Sequence, residues 1–267
     1  MVVTPTVVLT IAGSDSAGGA GIQADLRTLA AHGMHGATVV TVVTAQSTSE
    51  TRAAEFLSAD LVGAQLDAVL SDLPVAAVKT GMLGTAEVVS LVGEHARAGL
   101  LPNLVVDPVL VDASGGALFD DPVPQRYVTE LFPHASVVTP NLHEAALLVR
   151  APVGTVGDME RAAAAIGAMG PAAVVVKGGR LGGQRSPDVV WSGGVVRRLP
   201  AIRVETRNDH GTGCSLASAV AANLARGMPR DGAIDAAKYF VSRAISSAAG
   251  WRMGSGHGPI DHMGWSG

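Results

Sequence analysis

The sequence predicts an α/β fold, with a central, mostly parallel sheet carrying helices on both faces, and three observations lead there. Strand-like segments alternate with helix-like ones almost from end to end. The strand-like segments are short and nearly continuous in β-branched residues, as expected for strands buried on both faces. Hydrophobic residues make up 48% of the chain but aromatics only 3%, so the core must be built mainly from Ala, Val, Leu and Ile. A chain of 267 residues fits one large domain, 1–267, and no Pro/Ser-rich linker divides it.

The elements follow in order. Val7–Ile11 is an apolar strand, succeeded by the loop Ala12–Gly21 and an amphipathic helix over Ile22–His32. Ala37–Thr44 is β-branched and reads as a strand covered on both sides. Leu61, Leu66, Val69 and Leu70 recur at helical spacing behind Ser58 or Asp60 as cap. Val75–Lys79 (strand), Ala86–Ala98 (helix) and Leu104–Val106 (strand) come next. Then follow a helix over Gln125–Phe132, a strand over Ser136–Thr139, helices over Leu142–Val149 and Met159–Met169, and a strand over Ala173–Lys177. Val189–Trp191 and Val195–Leu199 flank Ser192-Gly193-Gly194, which reads as an edge hairpin. Helices over Gly213–Arg226 and Asp231–Ala249 close the chain, and the Gly-rich tail after about Trp251 is expected to be irregular.

Composition excludes several classes of function. The net charge of −4, with no basic cluster, argues against nucleic-acid partners. A single cysteine rules out an internal disulfide and any Cys-rich metal site, and fits a reducing compartment. No Lys or Arg precedes the first apolar run, so a signal peptide is not expected, and no run reaches a membrane span of about 18 residues. A cytoplasmic, membrane-free protein is the expectation.

In a sheet of this kind ligands gather beyond the carboxyl ends of the strands, and the chemistry-bearing residues stand there. The richest segment is Asn208-Asp209-His210-Gly211-Thr212-Gly213-Cys214-Ser215, which runs into a helix. Small residues at a helix start leave backbone N–H groups free to face an anion, and the helix dipole adds partial positive charge. A thiol there is expected to titrate low; the competing reading of Cys214 is a small packed hydrophobe. Gly19-x-Gly21-x-x-Ala24 formally matches a dinucleotide fingerprint, but Ala37–Thr44 leads into Ala45-Gln46 instead of the acidic residue a ribose needs.

Other strand ends carry further candidates. Asp25 could bond a ligand hydroxyl or amine, or could simply be an acidic residue near a helix start. Gln46 could read the donor–acceptor edge of a heterocycle, or bond loop backbone. Met82, in Lys79-Thr80-Gly81-Met82, could wall a flat ring or fill core. Asn141 and Glu144 offer hard oxygen ligands to Mg²⁺, or form a capping box. Lys177-Gly178-Gly179 could meet a phosphate or make an ordinary turn. Ser114-Gly115-Gly116 gives the loop after Asp107-Pro108-Val109 the character of a lid. His143, His257 and His262 show no metal spacing and are expected at the surface or in loops.

Taken together, these blocks resemble the hydroxymethylpyrimidine/phosphomethylpyrimidine kinases, within the ribokinase-like superfamily. The resemblance runs from about Val8 to Pro259 and rests on six blocks in the family's order: Ile11–Asp25, Lys79–Leu83, Asp107–Val109, Thr139–Glu144, Lys177–Gly179 and His210–Cys214. It implies a ribokinase-like fold and an ATP- and Mg²⁺-dependent kinase acting on 4-amino-5-hydroxymethyl-2-methylpyrimidine and then on its monophosphate. By position, Gly13, Asp25, Gln46, Met82 and Val109 would hold the pyrimidine. Asp107, Asn141, Lys177 and Gly213 would face the nucleotide, and Asn141 and Glu144 the metal. Gly211, Thr212 and Gly213 would form the anion hole with Lys177 nearby, and Cys214 would take the place of the Asp base of related sugar kinases. The resemblance also implies a homodimer.

The chain departs from the family in its lid, where Asp112-Ala113-Ser114-Gly115 replaces a Lys-Ser-Gly pattern, which bears on the second phosphorylation. Pyridoxal kinases of the same superfamily share Gly-Thr-Gly-Cys; some add a second lid cysteine, which this chain lacks. A dinucleotide-dependent oxidoreductase and a non-catalytic ligand-binding relative are the remaining alternatives.

Overall fold

The computed structural model describes residues 4–111, 115–119 and 122–266. The chain first forms β1 (Val7–Asp15), α1 (Gly21–Ala31), β2 (His35–Gln46), β3 (Thr51–Phe56), α2 (Ala59–Asp72), β4 (Val75–Thr80), α3 (Ala86–Arg97) and β5 (Val105–Val106). It continues through α4 (Val123–Arg126), β6 (Val137–Val138), α5 (Leu142–Val149), α6 (Val156–Gly167), β7 (Ala173–Val176), β8 (Asp188–Ser192), β9 (Val195–Leu199), α7 (Thr212–Ala225) and α8 (Arg230–Ala248). All the strands join one sheet in the order β3-β2-β1-β4-β5-β6-β7-β8-β9. Pairing is parallel from β2 through β7, and β3, β8 and β9 are antiparallel at the two edges. The expected α/β architecture and edge hairpin are both present.

Alternation along the central strands divides the core into two layers. Leu9, Ile11, Val78, Val106, Val138, Val174 and Val176 face one side, under α2, α3, α5 and α6. Val8, Ala77, Val105, Val137, Ala173 and Val175 face the other, under α1, α7 and α8. Ala-rich α7 fits between sheet and α8 because its side chains are small: Ala217, Ala219, Ala221 and Ala222 have no exposed surface.

Several elements differ from the sequence reading, each for a physical reason. β2 is not buried on both faces; its burial alternates and Val43 is 48% exposed, because only β3 lies beyond it. β3 was not anticipated: Thr51-Arg-Ala-Ala-Glu-Phe56 has no alternating apolar pattern, and all six residues are exposed. The helix expected over Gln125–Phe132 begins at Val123, passes into a wider turn over Tyr127–Leu131 and tightens over Phe132–His134, where Pro133 cannot donate a hydrogen bond. Ser58, rather than Asp60, caps α2 by accepting from the Leu61 amide.

The tail is irregular, as expected, but it is docked. Gly256 and His257 donate to Thr48, and Gly258 accepts from the His210 amide. His262 lies in this irregular tail, as expected, but is buried, 2.8 Å from Ser215 Oγ of α7, because the tail folds back onto that helix.

Strand order reverses at β1/β4, since β1 leads outward to β2 while β4 returns on the other side. That is the position where open α/β sheets place their crevice. Just beneath it, Lys79 Nζ lies 2.8 Å from Asp25 Oδ2, with both side chains essentially without exposure. Thr10 donates to the same oxygen at 2.6 Å and Ser218 to Oδ1 at 2.8 Å, so one carboxylate joins β1, α1, β4 and α7. Removing one member of a buried pair strands the other charge, at a cost of about 3–5 kcal/mol. Lys79→Met is expected to lose that much in urea unfolding, whereas the double variant Lys79→Met/Asp25→Leu should recover part of it.

Candidate active site

The site is built on two loops that meet above the switch point. The first follows β1. The Asp15 carboxylate accepts from the amides of Ala17 (2.9 Å), Gly19 (3.0 Å) and Ala20 (2.9 Å). Burial works against the Asp15 charge, but His210 and these amides outweigh it and hold the carboxyl below its ordinary range. The loop amides of Ala17, Gly19 and Ala20, ahead of α1, are thus already occupied by a fixed anion, which weighs against a dinucleotide phosphate in this loop.

The second loop precedes α7, and its amides are free. Gly211 takes φ +78° as N-cap, and a Cβ there would lie 1.9 Å from the Gly19 carbonyl oxygen. Thr212 donates to Asp209 and Ser215 to Gly211, but the Gly213 and Cys214 amides have no acceptor among the described residues. Two free N–H groups at the start of a 14-residue helix, with no acidic residue in its first turn, make an anion site.

A row of buried charges backs it. Lys177 Nζ donates to Asp107 Oδ1 at 2.7 Å, and Thr139 donates to the same oxygen at 3.0 Å. A Cβ on Gly213 would stand 3.1 Å from Lys177 Nζ and 3.6 Å from Asp107 Oδ2, so a side chain there would crowd the ammonium beside the free amide. Burial opposes the charge on Lys177, yet Asp107 and Glu144 hold its pKa above the ordinary value. Lys79 behaves alike, with Asp25 as the dominant stabilising partner.

Asn141 and Glu144 form the capping box of α5. Asn141 Oδ1 accepts from the His143 and Glu144 amides at 2.9 and 3.0 Å, and Glu144 Oε2 accepts from the Asn141 amide at 2.7 Å. Glu144 is nevertheless more than a cap. Burial, with Asp107 adding to it against the pull of Lys177, pushes its carboxyl up to about 7.

The remaining candidates fall as follows. Gln46 stands partly exposed at the end of β2, its Nε2 3.3 Å from His210 Nε2 and its Oε1 accepting from Thr44 at 3.3 Å. Gly13 is buried against Met82, where a Cβ would come within 3.1 Å of the Met82 methyl. Met82 and Val109 are half-buried at the ends of their strands, with Thr41 donating to the Met82 carbonyl at 2.6 Å. Asp25 is a correction. It has no exposed surface and its oxygens already accept from Lys79, Thr10 and Ser218, so it lies behind the site wall as the partner of Lys79. Lid residues Asp112, Ala113 and Ser114 lie outside the described residues.

Cys214 is a second correction. The thiol was expected to titrate low, yet burial, with Asp25 and Asp107 adding to it, pushes it up to about 11 against Lys79 and the Gly21 amide. The helix terminus acts on the backbone amides, while desolvation governs the sulfur and the nearby Lys79, Asp25 and Asp107 charges partly cancel there. Sequence reasoning missed Asp15 and His210 as organisers of the site; the signal available was an acid ending the first strand and a histidine directly before Gly211-Thr212-Gly213.

The phosphomethylpyrimidine kinase family model matches residues 15–261. The chain belongs to that family. A hydroxymethylpyrimidine/phosphomethylpyrimidine kinase of Rhizobium meliloti is 50% identical over 96% of this chain and 97% of its own. Its counterpart in Streptomyces coelicolor is 48% identical over 99% and 96%. Among solved structures, an ADP complex of Bacillus subtilis pyridoxal kinase superposes with a TM-score of 0.90 at 36% identity, covering 97% of this chain and 98% of that one. A phosphomethylpyrimidine kinase from Clostridium difficile gives 0.79 at 35% identity over 90% and 99%. The chain is therefore a ribokinase-like phosphotransferase.

The thiol supplies a direct check on this electrostatic picture. Alkylation of Cys214 by iodoacetamide should show a pH midpoint near 11 instead of one below the free-cysteine value of about 8.5. A midpoint at or below 8 would mean that the helix terminus dominates after all.

Proposed function

We propose that the protein transfers the γ-phosphoryl group of ATP to the hydroxyl of 4-amino-5-hydroxymethyl-2-methylpyrimidine, and then a second phosphoryl group to the monophosphate. The observation that carries this reading is the pair of free amides at Gly213 and Cys214, with the Lys177 ammonium packed against Gly213. Phosphoryl transfer passes through a loose transition state and demands mainly alignment and charge neutralisation. These groups are fixed where charge develops and need no reorganisation when it does.

The residues then divide the work. Gly211, Thr212 and Gly213 shape the anion hole, and Lys177 holds its charge through Asp107. Gln46, Met82, Gly13 and Val109 line the pyrimidine side, with Asp25 acting only through Lys79. Cys214 contributes its amide first. With the thiol near 11, its ionised fraction at pH 7 is ~10⁻⁴. That offsets most of the ~10²–10⁴ that general-base assistance supplies, so positioning carries the rate.

When bound, ATP supplies the phosphoryl group and Mg²⁺ neutralises its charge. The donor set suits a hard cation: Asp107 and Glu144 press two carboxylates into one buried region beside the Lys177 ammonium. Since Asn141 and Glu144 already close a capping box, they would hold the metal through water. Glu144→Gln should raise the Mg²⁺ concentration needed for half-maximal rate several-fold with little change in melting temperature. Unfolding with an unchanged Mg²⁺ requirement would leave capping as their whole role.

The pyridoxal reading is favoured by the closer superposition on the Bacillus subtilis enzyme, but the relatives of 48–50% identity carry the pyrimidine name, and Cys214 is the chain's one cysteine. Incubation with ATP, Mg²⁺ and a panel of hydroxymethyl heterocycles, followed by separation of mono- and diphosphates, decides between them. The pyrimidine diphosphate is the expected product; exclusive phosphorylation of pyridoxal would overturn the reading.

A homodimer is supported by the exposed antiparallel edge strand β3, of the kind natural proteins cover or pair. No helix among the described residues is long and apolar enough to cross a membrane, and a cytoplasmic setting, consistent with the lone cysteine, belongs to the same proposal.

A further inference from the structure

We propose that His210 is a positioning residue that locks the loop Asp15–Ala20, which is bonded to Gln46 through Ser16, to the phosphate loop, so that substrate recognition and the anion hole are held in one register. The inference rests on the reading of Gly211–Gly213 as the anion hole. It concerns a residue that touches neither the metal nor the transferring group in that reading.

The contacts are specific. His210 Nε2 lies 2.9 Å from Asp15 Oδ2 and donates to it, since the carboxylate is held ionised. With its proton given to Asp15, the same nitrogen has no lone pair for the Gln46 Nε2 donor 3.3 Å away, so Gln46 packs beside the imidazole without a hydrogen bond to it. Gln46 is in turn tied to the first loop by two backbone hydrogen bonds with Ser16 Oγ, both 2.8 Å. The imidazole thus ties the phosphate loop to the first loop through Asp15, and the first loop carries the link on to Gln46 through Ser16.

Steric evidence points the same way. A Cβ at Gly19 would sit 2.3 Å from His210 Cδ2, and one at Gly211 would sit 1.9 Å from the Gly19 carbonyl oxygen. The two loops are thus in direct backbone contact, with the Cδ2 edge of His210 against Gly19. The histidine backbone is also fixed: its amide donates to Gly258 at 3.0 Å, and it pairs with Pro259 of the docked tail. The side chain is one-quarter exposed, so it borders the crevice instead of filling core.

Side-chain deletion should loosen both loops together. Hydrogen exchange on the protein without substrates is expected to show peptides covering 15–21 and 207–214 losing protection in parallel in His210→Ala, with the central strands unchanged. A misplacement of about 1 Å can cost on the order of 10²-fold in rate. Turnover should therefore fall about 10- to 100-fold, while KM for ATP and for the pyrimidine changes by less than about threefold, the signature of a contact that acts on the transition state. His210→Gln, which keeps an amide donor, should recover much of the loss, and Asp15→Asn combined with His210→Ala should be no slower than the slower single variant. His210→Leu, which matches the volume without a donor, replaces the alanine variant if that one is unstable. Unchanged exchange in both peptides, or turnover losses that multiply, would overturn the proposal. Because the exchange measurement needs no substrate, it decides the matter even if the acceptor proves not to be the pyrimidine.

Discussion

The buried pair of Lys79 and Asp25 is the constraint on which the rest of the architecture depends. Both charges lie where the parallel sheet reverses direction, and both are sealed from water. Such a pair holds only if every remaining hydrogen-bonding site is satisfied, and here Thr10 and Ser218 complete the carboxylate. Because the four groups come from two strands and the helices on either side of the site, the crevice floor cannot shift without stranding a charge. The neutral glycines around it then become legible. A Cβ at Gly81 would meet Lys79 Nζ at 2.7 Å, so that position must lack a side chain for the ammonium to reach its partner.

From this floor the charges alternate toward the phosphate loop, with Asp25 and Lys79 on one side and Asp107 and Lys177 on the other. Burial beside these charges explains why Cys214 departs from the helix-terminus rule. A macrodipole amounts to about half an elementary charge and fades within a turn. Desolvation of the thiolate outweighs it, and Asp25 and Asp107 add to that cost against the opposing pull of Lys79. The amides of the same turn are unaffected, since they carry no proton to lose. One helix start can therefore bind an anion strongly while its thiol remains protonated.

Most of the fold was legible because each central strand is a continuous apolar run bounded by loop residues, and each helix keeps its own spacing. What escaped was governed by tertiary context. Thr51–Phe56 is a strand only because the edge of β2 offers it backbone partners, and nothing in its exposed side chains records that. The site was legible as a set of loops, since Gly211, Gly213, Lys177 and Gln46 all stand at the strand ends and helix start the sequence indicates. Asp25 was misplaced because a carboxylate one turn into a helix reads alike whether it faces a ligand or a buried lysine; only the parity of Lys79 on β4 distinguishes them, and that parity needs the register. The burial of His262 was not legible for a similar reason, since a histidine in a Gly-rich tail gives no sign that the tail folds back onto α7.

Glu144 shows how one residue can serve the fold and the chemistry at opposing ends of the same equilibrium. Its carboxyl, raised to about 7 in the folded protein from an ordinary value near 4.5, binds a proton more tightly folded than unfolded. The stability tied to that proton is fully present below about 4.5 and is lost as pH rises through 7. At neutral pH the fold therefore tolerates a partly ionised, poorly hydrated carboxylate beside Asp107, with Lys177 as the nearby compensating charge. The amide of Asn141 keeps that carboxylate pointed toward the start of α5 and prevents it from turning out to water. A well-solvated glutamate at the same cap would support α5 equally well and would leave no unbalanced negative charge for a cation to meet. The capping box is thus the means by which an acidic group is held at a position where folding alone would not favour its ionised form.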